Sequence, residues 1–489
     1  MNTLHLKDGP AFARLLHSLL AIAALVLALL PGGAHALPAF NRQTGQNCVA
    51  CHAGGQFPEL TPYGRLFKLT GYTIGERSVP ISAMAVASLS KVANTSKSDD
   101  PGADFQKNNS LIFATASLFL AGKVTDNIGA FTQITYDPYA TQSPDGKYHG
   151  HSNADNIDIR YADRFITDKR DLIFGFSANN NPSVADPWNT AAAWMQYVPV
   201  PSPTSSRFID GSAPYPGYGA GGNIAGLSGY MFWNQTIYAE LAGYGTSSGV
   251  SRFMSAGIAD ADNTKLRGVN PYWRLAYNRE WGAHSLMLGT SGMVSRVYDD
   301  PLDTTDSTTT HRFKDLGLDA QYQYLLDPHS VTAQVAYMSN QVRYSTNGIS
   351  AAPPGTNLSD TNRVLRGKLT YVYQAKYGGS VGLFNLSGTS NPAYVTFDPN
   401  GGSSPAGTRL MNRLGVPTPS AGQPDGNRTG SPSTRGFTLE AFWTPIQYLR
   451  VGAQFTGYNR FNGAAGNYDG YGRNASDNNS LFLYTWLAY

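Results

Sequence analysis

Short segments in which apolar and polar residues alternate dominate the chain after residue 80 and restrict the folds that it can adopt. We identify about sixteen of them, each of roughly the 9–11 residues that a tilted membrane strand needs. They begin near Ile81, Ser110, Ile128, Asn156, Asp171, Leu227, Thr236, Tyr272, Ser285, Lys314, Val331, Val364, Gly379, Gly436, Tyr448 and Ser480. No apolar run of about 18 or more residues follows the N-terminal 36, which excludes a helical membrane protein. The pattern predicts an all-β fold, an antiparallel outer-membrane β-barrel of about 16 strands over residues 80–489.

The connections between these segments alternate in length, which supports a barrel independently of the strand pattern. Long connections, rich in Gly, Pro, Ser and Asn, include residues 179–223 and 387–434. The short connections fall at residues 122–127, 167–170, 233–235, 280–283, 326–329, 374–377 and 444–447. Bacterial barrels have short periplasmic turns and long extracellular loops. We therefore predict that the first strand begins, and the last strand ends, on the periplasmic side.

Composition agrees with this fold and excludes other classes of protein. Charged residues make up 14% of the 489 residues, and the chain contains 52 Gly and 29 Tyr. Such a composition is unlike that of a soluble α/β enzyme. The formal net charge of +3 is small and dispersed, so we expect a lipid bilayer as partner and no nucleic acid.

Residues 1–36 have the features of a secretory signal peptide. Lys7 and Arg14 provide a positive end, residues 15–30 are almost wholly apolar, and residues 34–36 form a small-x-small cleavage site. The apolar run is shorter than the about 20 residues of a retained membrane anchor, which is the alternative. We expect export of the chain and cleavage after Ala36.

Residues 48–52 have the sequence Cys-Val-Ala-Cys-His, the pattern that attaches a c-type haem. Cys48 and Cys51 would each form a thioether to one haem vinyl group, and His52 would be the proximal ligand of the iron. The alternatives are a disulfide, a zinc half-site and a thioredoxin-like redox pair. The chain has no third cysteine for zinc, and the flanks are rich in Gly and Pro rather than in βαβ patterns. We therefore predict one covalent haem c.

Residues 37–79 contain the haem motif and form a segment that is too small to bury a core by itself. The segment precedes the first predicted strand and so enters from the periplasmic side. A barrel of about 16 strands has an interior wide enough for a plug. We predict that residues 37–79 fold into the lumen, where barrel side chains complete the haem pocket; a haem tethered below the barrel is the alternative.

Several short motifs occur in a fixed order around the cysteines. They are Pro-Ala-Phe-Asn-Arg-Gln-Thr-Gly at 38–45, the haem motif, Pro-Glu-Leu at 58–60, Gly-Arg-Leu-Phe-Lys at 64–68 and Gly-Tyr-Thr at 71–73. This order resembles the N-terminal signature of the fused monohaem cytochrome-porins, the outer-membrane iron(II) oxidases of iron-oxidising bacteria. The resemblance covers residues 38–73, and beyond them only the length and the barrel pattern are similar. Relatives often have a second histidine shortly after the haem histidine, whereas Gly54, Gly55 and Gln56 stand here.

The resemblance implies an electron-transfer function, and with it a possible iron(II) oxidase. Extracellular iron(II), or another donor, would give its electron to the haem, and a periplasmic cytochrome or other soluble carrier would accept it. One alternative is a porin or uptake channel with a structural or sensory haem. Another is export of electrons to extracellular acceptors, which would use the same residues. A peroxidase-type enzyme would need an open distal site, and we find no distal His-Arg arrangement in the sequence.

Four further residues are candidates for contacts with the haem. Met84, in the first predicted strand, is a candidate distal ligand because His/Met ligation is common in cytochromes c; it is otherwise an ordinary strand side chain. Arg42, Arg65 and Lys68 are candidates to pair with the haem propionates, since cationic side chains suit carboxylates. Their alternative is simple solvation in the lumen or at the surface.

Other histidines and one acidic loop are weaker candidates. His149 and His151 fall in a predicted outer loop, and His284 is consistent with a surface position. Residues 295–311 contain clustered carboxylates that could attract iron(II) to the barrel mouth, or that simply face solvent or bridge cations to lipopolysaccharide. These carboxylates belong to Asp299, Asp300, Asp303 and Asp306.

The last predicted strand alternates aliphatic and aromatic side chains. By its period of two, Leu481, Leu483, Leu487 and Tyr489 should face lipid. Phe482, Tyr484 and Trp486 should then point inward, where aromatic side chains suit a packed haem better than a water-filled pore. A register error in the predicted strand is the alternative.

Overall fold

The computed structural model describes residues 39–55, 59–94, 111–142, 148–188, 223–255, 265–306, 309–345, 355–392, 427–470 and 472–488. The predicted signal peptide and most of the two longest predicted loops lie outside the described residues.

Sixteen antiparallel strands in the described part of the chain form one closed barrel, as predicted. They are β1 (Ile81–Val92), β2 (Leu111–Lys123), β3 (Ile128–Gln142), β4 (Tyr148–Thr167), β5 (Arg170–Asn179), β6 (Ile224–Trp233), β7 (Ile237–Thr246), β8 (Asn270–Trp281), β9 (His284–Tyr298), β10 (Thr310–Leu326), β11 (His329–Arg343), β12 (Ser359–Tyr373), β13 (Tyr377–Gly388), β14 (Thr434–Ile446), β15 (Leu449–Arg460) and β16 (Ser480–Ala488). Each strand pairs with its neighbours in sequence, and β1 pairs with β16 from Met84↔Ala488 to Val92↔Ser480. Closure leaves no unpaired strand edge, which a bilayer requires of a spanning sheet.

The strands present an apolar surface outward and a mixed surface inward. In β10, Phe313 is 1% exposed, whereas Leu316 and Leu318 are 53% and 55% exposed. Leu241 in β7 and Leu383 in β13 are likewise 73% and 62% exposed. Exposed leucines at alternate positions around a closed sheet are the lipid-facing band of an outer-membrane β-barrel.

Exposed aromatic residues lie on the outer surface near several of the short turns. Trp233, Trp281, Tyr373, Tyr377 and Trp443 lie at or close to strand ends and are between 38% and 55% exposed. Amphipathic aromatic rings concentrate at the level of the lipid headgroups, so these residues mark one membrane interface. We call this end of the barrel the short-turn end.

The seven short connections occur where the sequence predicts them, but several strands are longer than predicted. β4 begins at Tyr148, eight residues before the predicted start, so His149 and His151 lie in a strand and not in a loop. β9 extends to Tyr298 and β10 begins at Thr310, so the predicted loop 295–311 is shortened at both ends. Long-loop ends of strands extend because pairing continues beyond the apolar band from which the predictions were made.

The last strand has the predicted orientation. Phe482 and Tyr484 are buried, at 0% and 2% exposure, while Leu481 is 37% exposed. Phe482 and Tyr484 stack at 5.4 Å between ring centroids, and Trp486 packs against the same cluster. Tyr489 lies outside the described residues.

The N-terminal segment consists of short helices. These are α1 (Ala39–Thr44), α2 (Cys48–Cys51), a 3-10 turn at Ala53–Gly55 and α3 (Pro62–Leu69); a fourth helix, α4 (Pro182–Ala185), follows β5. Pro62 suits the first turn of α3, and the Thr61 side chain caps it by accepting a hydrogen bond from the Gly64 N–H at 3.1 Å. Within the described residues, no helix is long and apolar enough to cross a membrane.

Candidate functional site

The two cysteines lie on a single helical turn. Cys48 and Cys51 begin and end α2, and the structure has no disulfide between them. Residues three apart on a helix share one face, so both thiols are directed to the same side. The backbone N–H of His52 donates to the Cys48 carbonyl at 2.8 Å, which places the histidine directly after the turn. Two thiols on one face with an adjoining imidazole are a donor set that fits a covalently attached haem.

The electrostatics of the thiols differ from those of a redox-active cysteine pair. Burial raises the pKa of Cys51 to about 11, and the neighbouring Cys48 adds to the shift. Burial also raises the pKa of Cys48. A catalytic Cys-x-x-Cys motif has a lowered pKa, because the thiolate is the nucleophile. Burial thus disfavours the thiolate at both cysteines, in contrast to a thioredoxin-like site.

His52 is half-buried, and the Nδ1 atom of its imidazole is buried. Burial lowers the pKa of His52 to about 4, while a hydrogen bond to the backbone of Glu59 acts in the opposite direction. Metal-binding histidines characteristically donate one ring N–H to a carbonyl or carboxylate, which fixes the tautomer and the ring orientation. The Glu59 backbone would serve this purpose if His52 binds a metal.

Helix α3 packs directly on the haem motif. The backbone N–H of Thr61 donates to the Cys51 carbonyl at 2.9 Å, and the Thr61 hydroxyl donates to the Ala50 carbonyl at 2.5 Å. Gly64 lies against the Cys51 carbonyl so closely that a Cβ atom at this position would overlap it. The glycine in Gly-Arg-Leu-Phe-Lys is thus required by the approach of two backbones.

Arg65 joins the N-terminal segment to the inner surface of the barrel. Its guanidinium is 3% exposed and donates to Gln323 Oε1 at 2.9 Å, Ser285 Oγ at 2.6 Å and Glu280 Oε1 at 3.2 Å. It also donates to the Leu60 carbonyl at 3.0 Å. Burial lowers the pKa of Arg65 to about 10, and Glu280 opposes this shift. The three barrel residues are on β8, β9 and β10, close to the short-turn end.

Lys68 contacts a chain segment that folds inward after β5. Its Nζ donates to the Asp186 carbonyl at 2.9 Å, and the Asp186 carboxylate pairs with Arg274 of β8 at 3.1 Å. Trp188 is 1% exposed and belongs to a buried cluster with Leu69 of α3. The other buried members of this cluster are Ile173, Tyr230, Phe232, Tyr238, Ala276 and Met287. Helix α3 and the residues after α4 thus fill part of the lumen together.

The first and last parts of the segment contact β2, β3 and β4. The Gln43 amide donates to the Tyr72 carbonyl at 2.6 Å and accepts from the Lys123 N–H at 2.9 Å. The Tyr72 hydroxyl donates to Asp158 Oδ2 at 2.6 Å. Phe40 stacks on Tyr72 at 5.4 Å and contacts Phe131 at 6.3 Å between ring centroids.

A further buried ion pair joins the N-terminal segment to β12. Lys368 Nζ of β12 contacts Glu59 Oε1 at 2.8 Å, and Glu59 is 2% exposed. Neither Glu59 nor Lys368 is identifiable as functional from the sequence. Glu59 is in the Pro-Glu-Leu motif, but the period of two predicts only that Lys368 faces inward and cannot identify a partner 309 residues away.

The three cations proposed for the propionates have structural contacts. Arg65 and Lys68 bind barrel and inward-folded residues, as described, and Arg42 donates to the Val79 carbonyl at 3.1 Å and to the Ile81 carbonyl. Met84 faces inward on β1 and packs beside Val86 and Trp486. The propionate and distal-ligand assignments stay predictions.

The weaker candidates have ordinary surroundings. His284 Nδ1 lies 2.7 Å from the Tyr322 hydroxyl. The His284 ring stacks on Trp281 near the short-turn end of the barrel. In the acidic loop, Asp299 is buried and accepts from Ser345 Oγ at 2.8 Å, while Asp300 accepts from the Leu302 N–H. Among the described residues, no group of three or more His, Cys, Asp or Glu side chains is arranged to hold a metal ion.

Comparison with known proteins gives similarity at the level of the barrel. No family model matches this chain, and no curated protein matches it. OmpT of Vibrio cholerae is 10% identical, with a TM-score of 0.39 over 84% of this chain and 97% of that chain. The outer membrane channel DcaP of Acinetobacter baumannii is 10% identical, with a TM-score of 0.44 over 84% and 96%. OprB of Pseudomonas putida is 10% identical, with a TM-score of 0.45 over 84% and 94%. We draw no functional conclusion from similarities of this size.

Proposed function

We propose that this chain is a bacterial outer-membrane protein that carries one haem c in its barrel and moves single electrons across the outer membrane. The observation that carries the proposal is the setting of the haem motif. Two thiols and an imidazole, the donor set for covalent haem, are held against the inner surface of a closed, lipid-facing barrel. A soluble cytochrome would have no use for such a barrel, and a simple porin would have no use for such a donor set.

Different residues of the chain would attach the haem, bind its iron and hold the segment in place. Cys48 and Cys51 would attach the porphyrin, and His52 would bind its iron. When bound, a haem accepts and releases one electron at a time. Arg65 holds the segment on the barrel and Lys68 holds it on the residues that fold inward after β5, so that the motif keeps one position relative to the membrane. The apolar barrel exterior carries this assembly through the lipid.

The direction of electron flow follows from the resemblance of residues 38–73 to the cytochrome-porins. On that basis, extracellular iron(II) is the electron donor and a periplasmic cytochrome or another soluble carrier is the acceptor. Oxidation outside the cell keeps poorly soluble iron(III) out of the periplasm. The short-turn end, which holds the motif, faces the periplasm in this orientation.

The second candidate function is a channel in which the haem is structural. The strand number favours it, because 16-stranded porins enclose an aqueous channel. Solute permeation separates the candidates, since a conduit needs no open path for sugars.

The test uses sealed proteoliposomes that contain an oxidised, membrane-impermeant acceptor. Addition of iron(II) outside should reduce the haem band and then the trapped acceptor. The matched control is the Cys48→Ala/Cys51→Ala variant, which should insert but leave the acceptor oxidised. A haem that dithionite reduces but iron(II) does not would reject iron as donor. Wild-type vesicles whose trapped acceptor stays oxidised with every external donor would reject the conduit.

A further inference from the structure

Residues Glu59, Leu60 and Thr61 form a short extended segment between the haem motif and the barrel, which we call the strap. On the motif side, the Ala53 N–H donates to the Glu59 carbonyl at 2.9 Å, and Thr61 bonds Cys51 as described. His52 and Leu60 pair as an isolated antiparallel bridge. The His52 imidazole is hydrogen-bonded to the Glu59 backbone. The strap therefore contacts all three residues from Cys51 to Ala53.

The other side of the strap is attached to the barrel at two points. The Glu59 carboxylate pairs with Lys368 Nζ of β12 at 2.8 Å, and both groups are largely buried, at 3% and 18% side-chain exposure. The Leu60 carbonyl accepts from Gln323 Nε2 of β10 at 3.0 Å and from Arg65 Nη1 at the same distance. Adjacent strap residues are thus bound by different strands.

The geometry points to Lys368 as a positioning residue for the imidazole of His52. Lys368 holds the Glu59 side chain against β12, and the Glu59 backbone in turn orients the His52 ring. This inference rests on the proposed function, in which His52 binds the haem iron. A histidine that donates to a carbonyl is a stronger electron donor to its metal, and axial ligation is one of the factors that set a haem potential. The barrel is then part of the haem site and not only its container.

Removal of the Lys368–Glu59 ion pair should change the haem midpoint potential. The direction of the change distinguishes a displaced strap from a simple loss of charge. Without this ion pair, the Glu59 side chain is no longer held against β12, so the strap shifts and its backbone bond to His52 weakens. A weaker axial donor would stabilise the oxidised iron less than a strong donor does, so the midpoint potential should rise. Loss of a positive charge alone would have the opposite effect, because it favours the oxidised and more positive haem.

The experiment compares the haem midpoint potential and the low-temperature EPR g-values of the wild-type protein and four variants. Lys368→Gln removes the cation, and Glu59→Gln/Lys368→Gln removes the pair without a change in net charge. Lys376→Gln is the matched control, since Lys376 is exposed in the turn after the same strand. We expect higher potentials and altered g-values in the first two variants, and wild-type values in the control. Lys368→Arg should restore the wild-type values, because arginine can pair with the same carboxylate.

The outcomes distinguish this inference from the proposed function. Wild-type protein without covalent haem on a denaturing gel would overturn both. Covalent haem in all proteins, with potentials and g-values equal to wild type in Lys368→Gln and in the charge-neutral double variant, would overturn the positioning role alone. A lower potential in Lys368→Gln that returns to the wild-type value in the double variant would show that Lys368 acts only through its charge. That result would also overturn the positioning role. If the Lys368→Gln variant fails to insert into the membrane, the double variant replaces it in the test, because the double variant leaves no buried unpaired charge.

Discussion

At the scale of single residues, the segment that contains the haem motif is held by buried charged side chains, whose protonation depends on their surroundings. Lys68 is a buried lysine of α3 whose ammonium group bonds a backbone carbonyl. Burial, together with Arg160, lowers the pKa of Lys68 to about 8, against the opposing effect of three carboxylates. These carboxylates belong to Asp158, Asp186 and Glu240. A charged lysine is thus held in a place that favours the neutral form.

The lowered pKa of Lys68 predicts a pH dependence for docking of the N-terminal segment. Because the docked state binds the proton less tightly than the undocked state, docking gains stability as pH rises from about 8 to about 10.5 and changes little below pH 8. The gain is about 3 kcal/mol at full titration. Hydrogen exchange of residues 39–79, corrected for the intrinsic rate, should show increasing protection over this range. Lys68→Met should abolish the increase; an equal increase in that variant would show that another group titrates.

Gly54 provides a residue-scale test of the contact between the motif and β12. It has a φ of 59°, and a Cβ atom there would lie 2.8 Å from Cβ of Val372. Gly45 has a φ of 68° with no atom within 4 Å of its virtual Cβ, so Gly45→Ala isolates the backbone cost of about 1 kcal/mol. Gly54→Ala should reduce exchange protection of the motif by more than Gly45→Ala does. Val372→Ala should partly rescue it, whereas equal effects of the two glycine variants would contradict the contact.

At the scale of secondary-structure elements, α3 connects the haem motif to the barrel. One face of the helix packs on Cys51 through Gly64, and Leu69 joins the lumen cluster around Trp188. Arg65 provides the polar part of this contact through the planar fork of its guanidinium. Helix α3 is too short to be stable alone, so its structure depends on these contacts.

Arg65 variants test the docking of α3. Arg65→Met leaves Glu280, Ser285 and Gln323 without their shared donor and should cost roughly 2 kcal/mol, with allowance for the partial exposure of Glu280. Limited proteolysis of the N-terminal segment should then be about 30-fold faster, if cleavage follows local opening. Arg65→Lys should be intermediate, because it keeps the charge and loses the fork. Arg77→Met, at an exposed position of the same segment, is the control, and a similar acceleration there would contradict the assignment.

The strands could be predicted from the sequence far better than the contacts of the helices. Alternation with a period of two gives all sixteen strands and identifies the inward face, as for Phe482 and Tyr484. It misses strand extensions beyond the lipid, as at His149 and His151, because those residues carry no apolar signal. The side chains that would bind the haem can be predicted from the spacing of Cys48, Cys51 and His52 alone. The pairs Arg65 with Gln323 and Glu59 with Lys368 join residues more than 250 positions apart, and no local pattern encodes such contacts.

At the scale of the whole molecule, the short-turn end of the lumen is occupied from several sides. Helix α3 and the segment around Trp188 lie against β4 to β9, and the turn after His52 contacts β10 to β12. Inward side chains of the remaining sector include Phe442, Tyr484 and Arg450, whose guanidinium lies 4.0 Å from the Phe442 ring centroid. Together these groups narrow the lumen where the haem motif is held.

This arrangement predicts slow permeation of solutes. Proteoliposomes with the full-length protein should swell in isotonic sugar far more slowly than vesicles with an equal amount of an open 16-stranded porin. Swelling at a porin-like rate would favour the channel as the function of the barrel. Variants that undock the N-terminal segment, such as Arg65→Met, should swell faster than wild type.

The measurement that tests the central claim most directly is the covalent haem content of the mature protein. The protein, expressed with the machinery for haem c attachment, is denatured and extracted with acidified acetone, and its intact mass is determined. We predict that one haem stays with the polypeptide, that the tryptic peptide with Cys48 and Cys51 carries it, and that Cys48→Ala/Cys51→Ala lacks it. Wild-type protein that loses all haem to the solvent, or that contains two unmodified thiols or a disulfide, would contradict the account.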